Sequence, residues 1–344
     1  MLIAALCLQA SFLAHPLYLD TEKPRLRSAQ NILILHDDLE GLTETYNRDH
    51  DAALALAKSL HSQLEAGADF LLLARQHSNS RTALGDSSLG SYPPGMLAEP
   101  VNSWLFAAEL GELSGVLDSP RGIHILRRIE THAGVLMIQL ARPDADSQEL
   151  AQSIIEQLSG GAEFADLARE HSVERESAER GGAYRVFERG SHDVLLKAAA
   201  FHAEQGQVTG PLATPLGLYI LKRVAPDSLP KELWEDNFIR IRAVVISHVM
   251  ALGADPLRTR TIQEALKMAQ DVVRRVNEGE DFAEIAGRFN DDPGGKARRG
   301  DVGWVYRHNP DLPPFLQQLY LKPAGTMLEP IQTPAGYIIV RREE

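Results

Sequence analysis

Without a bound group, chemistry falls first to histidine, cysteine and paired carboxylates, and in this chain their spacing excludes more than it suggests. Among 344 residues there are twelve histidines and one cysteine, Cys7. A single cysteine rules out an internal disulfide and a thiolate metal cluster. No HExxH, paired CxxC or EF-hand spacing gathers histidines with carboxylates, so no metal site is expected. His61, His77 and His171 fall within or just after helical stretches, where a solvated or locally bonded ring is the plain reading. The balance of 35 basic and 47 acidic side chains, net −12, argues against nucleic acid and anionic membrane surfaces as partners.

The elements that must carry any site occur three times. Helix-like runs end in Gly67-Ala68-Asp69-Phe70, Gly161-Ala162-Glu163-Phe164 and Gly279-Glu280-Asp281-Phe282, and strands starting at Gly122, Gly217 and Gly336 follow by 55, 56 and 57 residues. Gly111, Gly206 and Gly325 each stand 11 residues before those strands. The chain is therefore three copies of one small domain. The expected layout is an N-terminal segment 1–24, repeats at 25–130, 133–224 and 239–344, and a linker at 225–238.

In the third copy, β-branched alternation predicts a strand over 239–249, and apolar residues at helical spacing predict helices over 261–277 and 282–289. A glycine-rich loop at 293–300, a strand at 301–304, a short helix at 313–321 and a hairpin around Thr333-Pro334-Ala335-Gly336 complete the unit. Such a small antiparallel sheet must cover its apolar face with those helices, which predicts an α+β domain. The connection 130–134 is too short to let the first two copies part, whereas 225–237, with Pro226 and Pro230, reads as a hinge.

The apolar stretch Leu2 to Ala14 has no preceding Lys or Arg and is too short to span a bilayer. Two readings stand. One is an atypical signal peptide cut near Ala10 or Ala14, with a periplasmic or exported protein. The other is a terminal strand or helix packed on the first repeat, which leaves a cytoplasmic location open.

The third copy resembles the parvulin-type (PpiC-like) peptidyl-prolyl cis-trans isomerases through Phe289-Asn290-Asp291-Asp292-Pro293, Arg299-Gly300-Asp301-Val302-Gly303-Trp304 and Leu321-Lys322-Pro323-Ala324-Gly325. The second adds Arg180-Gly181-Gly182 and Phe187-Glu188-Arg189-Gly190, and the first Gly122-Ile123-His124-Ile125-Leu126. The implied chemistry is rotation about an X-Pro bond, against a barrier of ~18–20 kcal/mol. It needs no cofactor, only an apolar pocket for the proline ring and a polar setting that favours the twisted amide.

The resemblance implies a pocket of Leu, Met and Phe types beside a Cys or Asp, with two histidines on adjacent strands behind it. Carried onto the third copy, the pocket is Val302, Leu312 and Phe315 with Asp292. The second copy offers Tyr184, His192 and Leu196 with Glu174, and the first Leu89, Leu97 and Val101 with Ser80. For any one of the apolar residues alone, core packing is the plainer reading. The family's first histidine falls on Asn31, Gln139 and Val245, and its second on His124, Tyr219 and Ile338, so no copy keeps both. A shifted register that aligns Ser247-His248-Val249 with the motif is the alternative in the third.

Replacing both members of a buried polar pair by apolar groups is nearly neutral, whereas losing one orphans the other. Val245 with Ile338 therefore reads as a repaired core, while His124 with Asn31 and Tyr219 with Gln139 retain groups able to pair. A satisfied polar pair with no catalytic part explains them equally well.

Two functions follow. One is an isomerase acting on unfolded or extended proline-containing client polypeptides. The other is a catalytically degenerate chaperone or assembly scaffold whose three weak grooves gain affinity by multivalency. A structural subunit of an envelope or secretion complex is a third reading.

Overall fold

The computed structural model describes residues 18–20, 22–190, 195–235 and 237–344. Cys7, the stretch Leu2 to Ala14 and His192 lie outside the described residues. Repeat 1 comprises β1 (Arg27–Ile34), α1 (His50–Glu65), α2 (Phe70–His77), β2 (Ser88–Tyr92), α3 (Val101–Ala107), β3 (Leu117–Ser119) and β4 (Gly122–Ile129). Repeat 2 comprises β5 (His132–Leu140), α4 (Ala145–Ser159), α5 (Phe164–His171), α6 (Arg175–Glu179), β6 (Ala183–Glu188), α7 (Leu195–His202), β7 (Val208–Thr214) and β8 (Gly217–Val224). Repeat 3 comprises β9 (Phe238–Ile246), α8 (Ile262–Asn277), α9 (Phe282–Phe289), α10 (Pro293–Ala297), β10 (Asp301–Tyr306), a 3₁₀ helix (Pro314–Leu321), β11 (Ile331–Thr333) and β12 (Gly336–Arg342).

Each repeat holds one antiparallel four-stranded sheet, in the orders β2-β1-β4-β3, β6-β5-β8-β7 and β10-β9-β12-β11. The expected α+β architecture is the one found. The first strand of each repeat is central and pairs with the last, so residues far apart in sequence meet across β1–β4, β5–β8 and β9–β12.

The three marker motifs have local causes. Asp69 and Asp281 accept the N–H groups of Leu72 (2.6 Å) and Glu284 (2.8 Å), capping the second helix, and the following Phe70, Phe164 and Phe282 are buried. Gly111, Gly206 and Gly325 share φ +87° and donate to the carbonyls of Arg128, Arg223 and Arg342 at 2.8, 2.8 and 2.7 Å. At Gly336, φ is +119° and a Cβ would meet the Ile246 carbonyl at 2.4 Å, so geometry and space both demand glycine.

Strand alternation gives each sheet two covered faces. In repeat 1, Ile32, Ile34, Ile123 and Ile125 pack on α1 and α2, with Leu60 and Phe70. The opposite face carries Ala29 and Leu126 under Val101 and Leu105 of α3. A period of two puts Asn31 and His124 on that second face.

Two segments differ from expectation. Strand β9 ends at Ile246 rather than Val249, and the glycine-rich segment closes into α10, because the Asp292 carboxylate accepts the Gly295 N–H (2.7 Å) and Pro293 starts the turn.

The described residues divide into two compact units: one within 26–92 and 97–235, which holds repeats 1 and 2, and one of 18–20, 22–25, 93–96 and 237–344, which holds repeat 3. Within the first unit, Arg189 joins the repeats. Its guanidinium pairs with Asp86, donates to the Glu130 carbonyl (3.0 Å) and lies 4.0 Å from the Phe201 ring centroid, while its own carbonyl accepts the Ser91 hydroxyl (2.6 Å).

The reading of 225–237 as a hinge is corrected through Glu235. Leu229, Leu233 and Trp234 pack with Ala183, Val186 and Leu136, Trp234 forms a parallel bridge to Val186, and Glu235 accepts from Lys197 (3.0 Å) and the Glu188 N–H (2.8 Å). Prolines suggested a spacer, but Leu229 between them is buried and Leu233 and Trp234 just after them pack against the β6 edge.

Candidate functional site

Three internal anchors establish which residues are equivalent. Ser78, Ser172 and Asn290, just past the second helix of each repeat, accept the N–H groups of Leu33 (3.0 Å), Gln139 (3.1 Å) and Val245 (3.1 Å). The next residues, Asn79, Val173 and Asp291, donate back to the carbonyls of those same three positions at 2.7, 2.8 and 2.8 Å. The ladders agree, with Leu33 opposite His124, Gln139 opposite Tyr219 and Val245 opposite Ile338.

Leu33, Gln139 and Val245 are therefore one position, and Asn31 corresponds to Met137 and Ala243. The expected set Asn31, Gln139, Val245 mixes two registers and is corrected. A slip of two residues keeps every side chain on the same face, so no pattern of buried and exposed residues reveals it.

In repeat 1, the polar pair forms diagonally across β1 and β4. His124 Nδ1 lies 3.1 Å from Asn31 Oδ1, and Nε2 lies 3.1 Å from Ser119 Oγ. Burial pushes the His124 imidazole down to about 4, despite an opposing pull from Asp118. It is thus neutral near pH 7. Since Asn31 Oδ1 can only accept, Nδ1 carries the proton and Nε2 is an acceptor, so the single Ser119 hydroxyl proton serves either Nε2 or the Gly122 carbonyl at any one time. On the same face, Leu89 and Leu97 pack against Val101 and Leu126, so the three carried-over pocket residues do come together. Ser80 does not join the pair. Its hydroxyl bonds Thr82 Oγ1 (3.0 Å) within its own turn.

In repeat 2, Tyr184 and Leu196 pack around Tyr219, Phe187 and Phe201, with the Tyr184 and Phe187 rings edge to face at 6.2 Å. Met137 is buried in that cluster at the position of Asn31. The pairing of Tyr219 with Gln139 is corrected, because Gln139 Nε2 donates to the Leu216 carbonyl (3.1 Å). Glu174 caps α6, taking the N–H groups of Glu176 (3.2 Å) and Ser177 (2.8 Å).

In repeat 3, Val302, Leu312 and Phe315 pack in one cluster with Val245, Ala243 and Ile338. Here both pair positions, Ala243 and Ile338, are apolar. Asp292 commits Oδ2 to the α10 cap, while Oδ1 is buried with no partner among the described residues. His248 lies beyond the end of β9, its ring 6.5 Å from Tyr337, so the shifted register through Ser247-His248-Val249 is corrected.

Ser119 is a site residue that the sequence reading missed, although its signal recurs. Ser119-Pro-Arg-Gly122, Thr214-Pro-Leu-Gly217 and Thr333-Pro-Ala-Gly336 share one turn, in which each hydroxyl reaches the glycine carbonyl at 3.0, 3.3 and 2.9 Å. The hydroxyl thus reaches the turn carbonyl in every copy, and only in repeat 1 does a histidine nitrogen compete for its one proton.

A family model described as the PPIC-type PPIase domain matches residues 32–130 and 135–225, and a second model of that description matches residues 236–344. The chain belongs to the PPIC-type PPIase family. Among curated relatives, "Chaperone SurA" of Pseudomonas syringae pv. syringae (strain B728a) is 30% identical over 210 residues, covering 59% of this chain and 47% of that protein. "Chaperone SurA" of Nitrosospira multiformis is 27% identical over 187 residues, covering 50% and 42%. The chain spans about half the length of the curated relatives it matches.

Among solved structures, the parvulin NmPin of Nitrosopumilus maritimus is 28% identical over 28% of this PPIC-type chain and 98% of its own, with a TM-score of 0.25. PrsA from Bacillus subtilis is 20% identical over 31% and 35%, with a TM-score of 0.24. Among the described residues, no group of His, Cys, Asp and Glu could hold a metal ion, and no helix is long and apolar enough to cross a membrane.

Proposed function

We propose that this PPIC-type protein is a peptidyl-prolyl isomerase and folding factor for extended, proline-containing client segments. In this reading turnover is concentrated in repeat 1, and all three apolar faces bind peptide. The observation that carries it is the His124–Asn31–Ser119 network beside Leu89, Leu97 and Val101. Repeats 2 and 3 pack equivalent faces but put Met137 and Ala243 where Asn31 stands. X-Pro rotation moves no proton, so a neutral histidine suits the task. Such a network orients dipoles around an amide that loses its planarity, and the apolar pocket holds the ring. The chaperone name of the curated relatives supports the client role, and the signal-like residues 2–14 support an exported, periplasmic setting.

The test is exchange NMR of a short Ala-Leu-Pro-Phe peptide with the full chain. Isomerisation above the buffer rate is expected, with a loss of about tenfold, equivalent to 1.4 kcal/mol, in His124→Gln. No acceleration by the folded chain would remove turnover. An unchanged rate in His124→Gln would remove repeat 1 as its seat.

A further inference from the structure

The second strand of each sheet has an outer edge, and in repeats 2 and 3 the same position on it holds a segment from elsewhere in the chain. Val186 of β6 lies opposite Gly134, and Trp304 of β10 lies opposite Arg240, each five residues before the equivalent Gln139 and Val245. Val186 takes Trp234 in a parallel bridge, whereas Trp304 takes Tyr18 in an antiparallel one. One position thus accepts two unrelated segments running in opposite directions, as a strand edge does when it pairs through its main chain.

In repeat 3 the hydrogen bonds given to the segment go to its backbone. Trp304 N–H donates to the Tyr18 carbonyl (2.9 Å), and the Arg240 guanidinium donates to the carbonyls of Leu19 (3.5 Å) and Asp20 (3.0 Å). Three successive carbonyls are therefore held whatever side chains they carry. Arg240 is particular to this repeat, since its counterparts are Ser28 and Gly134. Gly303 admits the backbone: its φ is +86°, and a Cβ there would stand 2.3 Å from the Tyr18 carbonyl oxygen. Side chains add less. The Tyr18 ring meets Phe238 edge-on at 6.4 Å, its hydroxyl donates to the Pro94 carbonyl (2.7 Å), and Lys23 Nζ lies 5.3 Å from the Trp304 ring centroid.

The resident segment is an incomplete occupant. It makes a single bridge rather than a ladder, and Leu19 is 39% exposed. Trp304 is only 7% exposed, yet its indole N–H finds no acceptor among the described residues. A buried donor without a partner favours an occupant that brings a carbonyl to it.

We propose that the outer edge of β10 is a strand-addition site for an extended client polypeptide, and that Tyr18, Leu19 and Asp20 fill it in cis until a client displaces them. Trp304 and Arg240 hold the client by its backbone, which suits partners of varied sequence. The inference rests on the client-binding reading above.

The test uses the full chain and a fluorescein-labelled peptide with the sequence of residues 17–23, followed by anisotropy. The peptide has no X-Pro bond, so its binding is scored apart from the isomerisation assay, whose failure alone removes the isomerase reading. Tyr18→Ala frees the cis segment and leaves β10 intact, and is expected to tighten peptide binding at least tenfold. Adding Arg240→Gln is expected to reverse that gain. Equal affinity in the unaltered chain and Tyr18→Ala overturns the proposal, as does a gain that survives Arg240→Gln. A dimer in light scattering that becomes a monomer in Tyr18→Ala makes a second copy the occupant and overturns it too. Amide exchange by NMR on the unaltered chain needs no variant to fold. The Trp304 amide is expected to exchange at least tenfold faster than those of β9, which is paired on both sides, and equal protection would make Tyr18 a fixed part of the sheet and refute displacement.

Discussion

Acidification tests the buried histidine of repeat 1 most directly. His124 titrates at an ordinary 6.5 in the unfolded chain and at about 4 in the fold, because burial disfavours the charged ring. With the folded value depressed, the unfolded state takes up the proton first as pH falls, so this contribution is present above pH 6.5 and is lost between 6.5 and 4. Between pH 7 and pH 5 the loss amounts to about 2 kcal/mol, a roughly thirtyfold rise in the open population of the β1–β4 pairing.

Hydrogen exchange read by mass spectrometry, corrected for the intrinsic pH dependence of exchange, resolves this repeat by repeat. In His124→Gln the pH-dependent loss in β1 and β4 is expected to vanish. It should persist in β5 and β6, where burial pushes His132 down to about 4 beside the Trp234 ring. If repeat 1 loosens equally at pH 5 with and without His124, the buried neutral ring and the pairing scheme built on it are wrong.

Other substitutions probe the remaining links. His124→Ile should orphan the Asn31 amide at a cost of about 1–3 kcal/mol, whereas Asn31→Ala with His124→Ile, the pair found in repeat 3, should cost clearly less than the two single changes summed; additive urea-melt energies would refute this. Arg189→Ala leaves the Asp86 carboxylate without its cation at the junction of repeats 1 and 2. It should cost about 2–3 kcal/mol and split one cooperative unfolding step into two in calorimetry. Trp234→Ala should release the strap 226–235 from β6, raising exchange in those residues at least tenfold for a loss of about 1–3 kcal/mol, and unaltered protection would show that the strap is held by Glu235 alone.

Much of the fold was legible because its signals are local. Glycine at Gly111, Gly206 and Gly325 answers a left-handed backbone, and Asp69 and Asp281 cap the helices they open. Each requirement is met within a few residues, so it leaves a mark in sequence and recurs at constant spacing. The pocket residues Leu89, Leu97 and Val101, and Val302, Leu312 and Phe315, were found through the resemblance and do share clusters. The β1-type register was not legible. Asn31 and Leu33 point to the same face, and only the bonds of Ser78, Ser172 and Asn290 across more than thirty residues separate them.

By itself, the sequence determined the threefold repeat, the α+β class and the absence of a cysteine pair, which depend on spacing and composition along the chain, and the family, which its motifs carry by resemblance. Only the tertiary structure decided that Ser80, Glu174 and Asp292 serve their own turns, that His124 has two polar neighbours while its counterparts Tyr219 and Ile338 sit in packed apolar clusters, and that residues 226–235 are a strap rather than a hinge. Those outcomes turn on which buried polar atoms find partners across the sheet. That choice is settled by packing in three dimensions, where an unpaired atom costs about as much as the pair contributes.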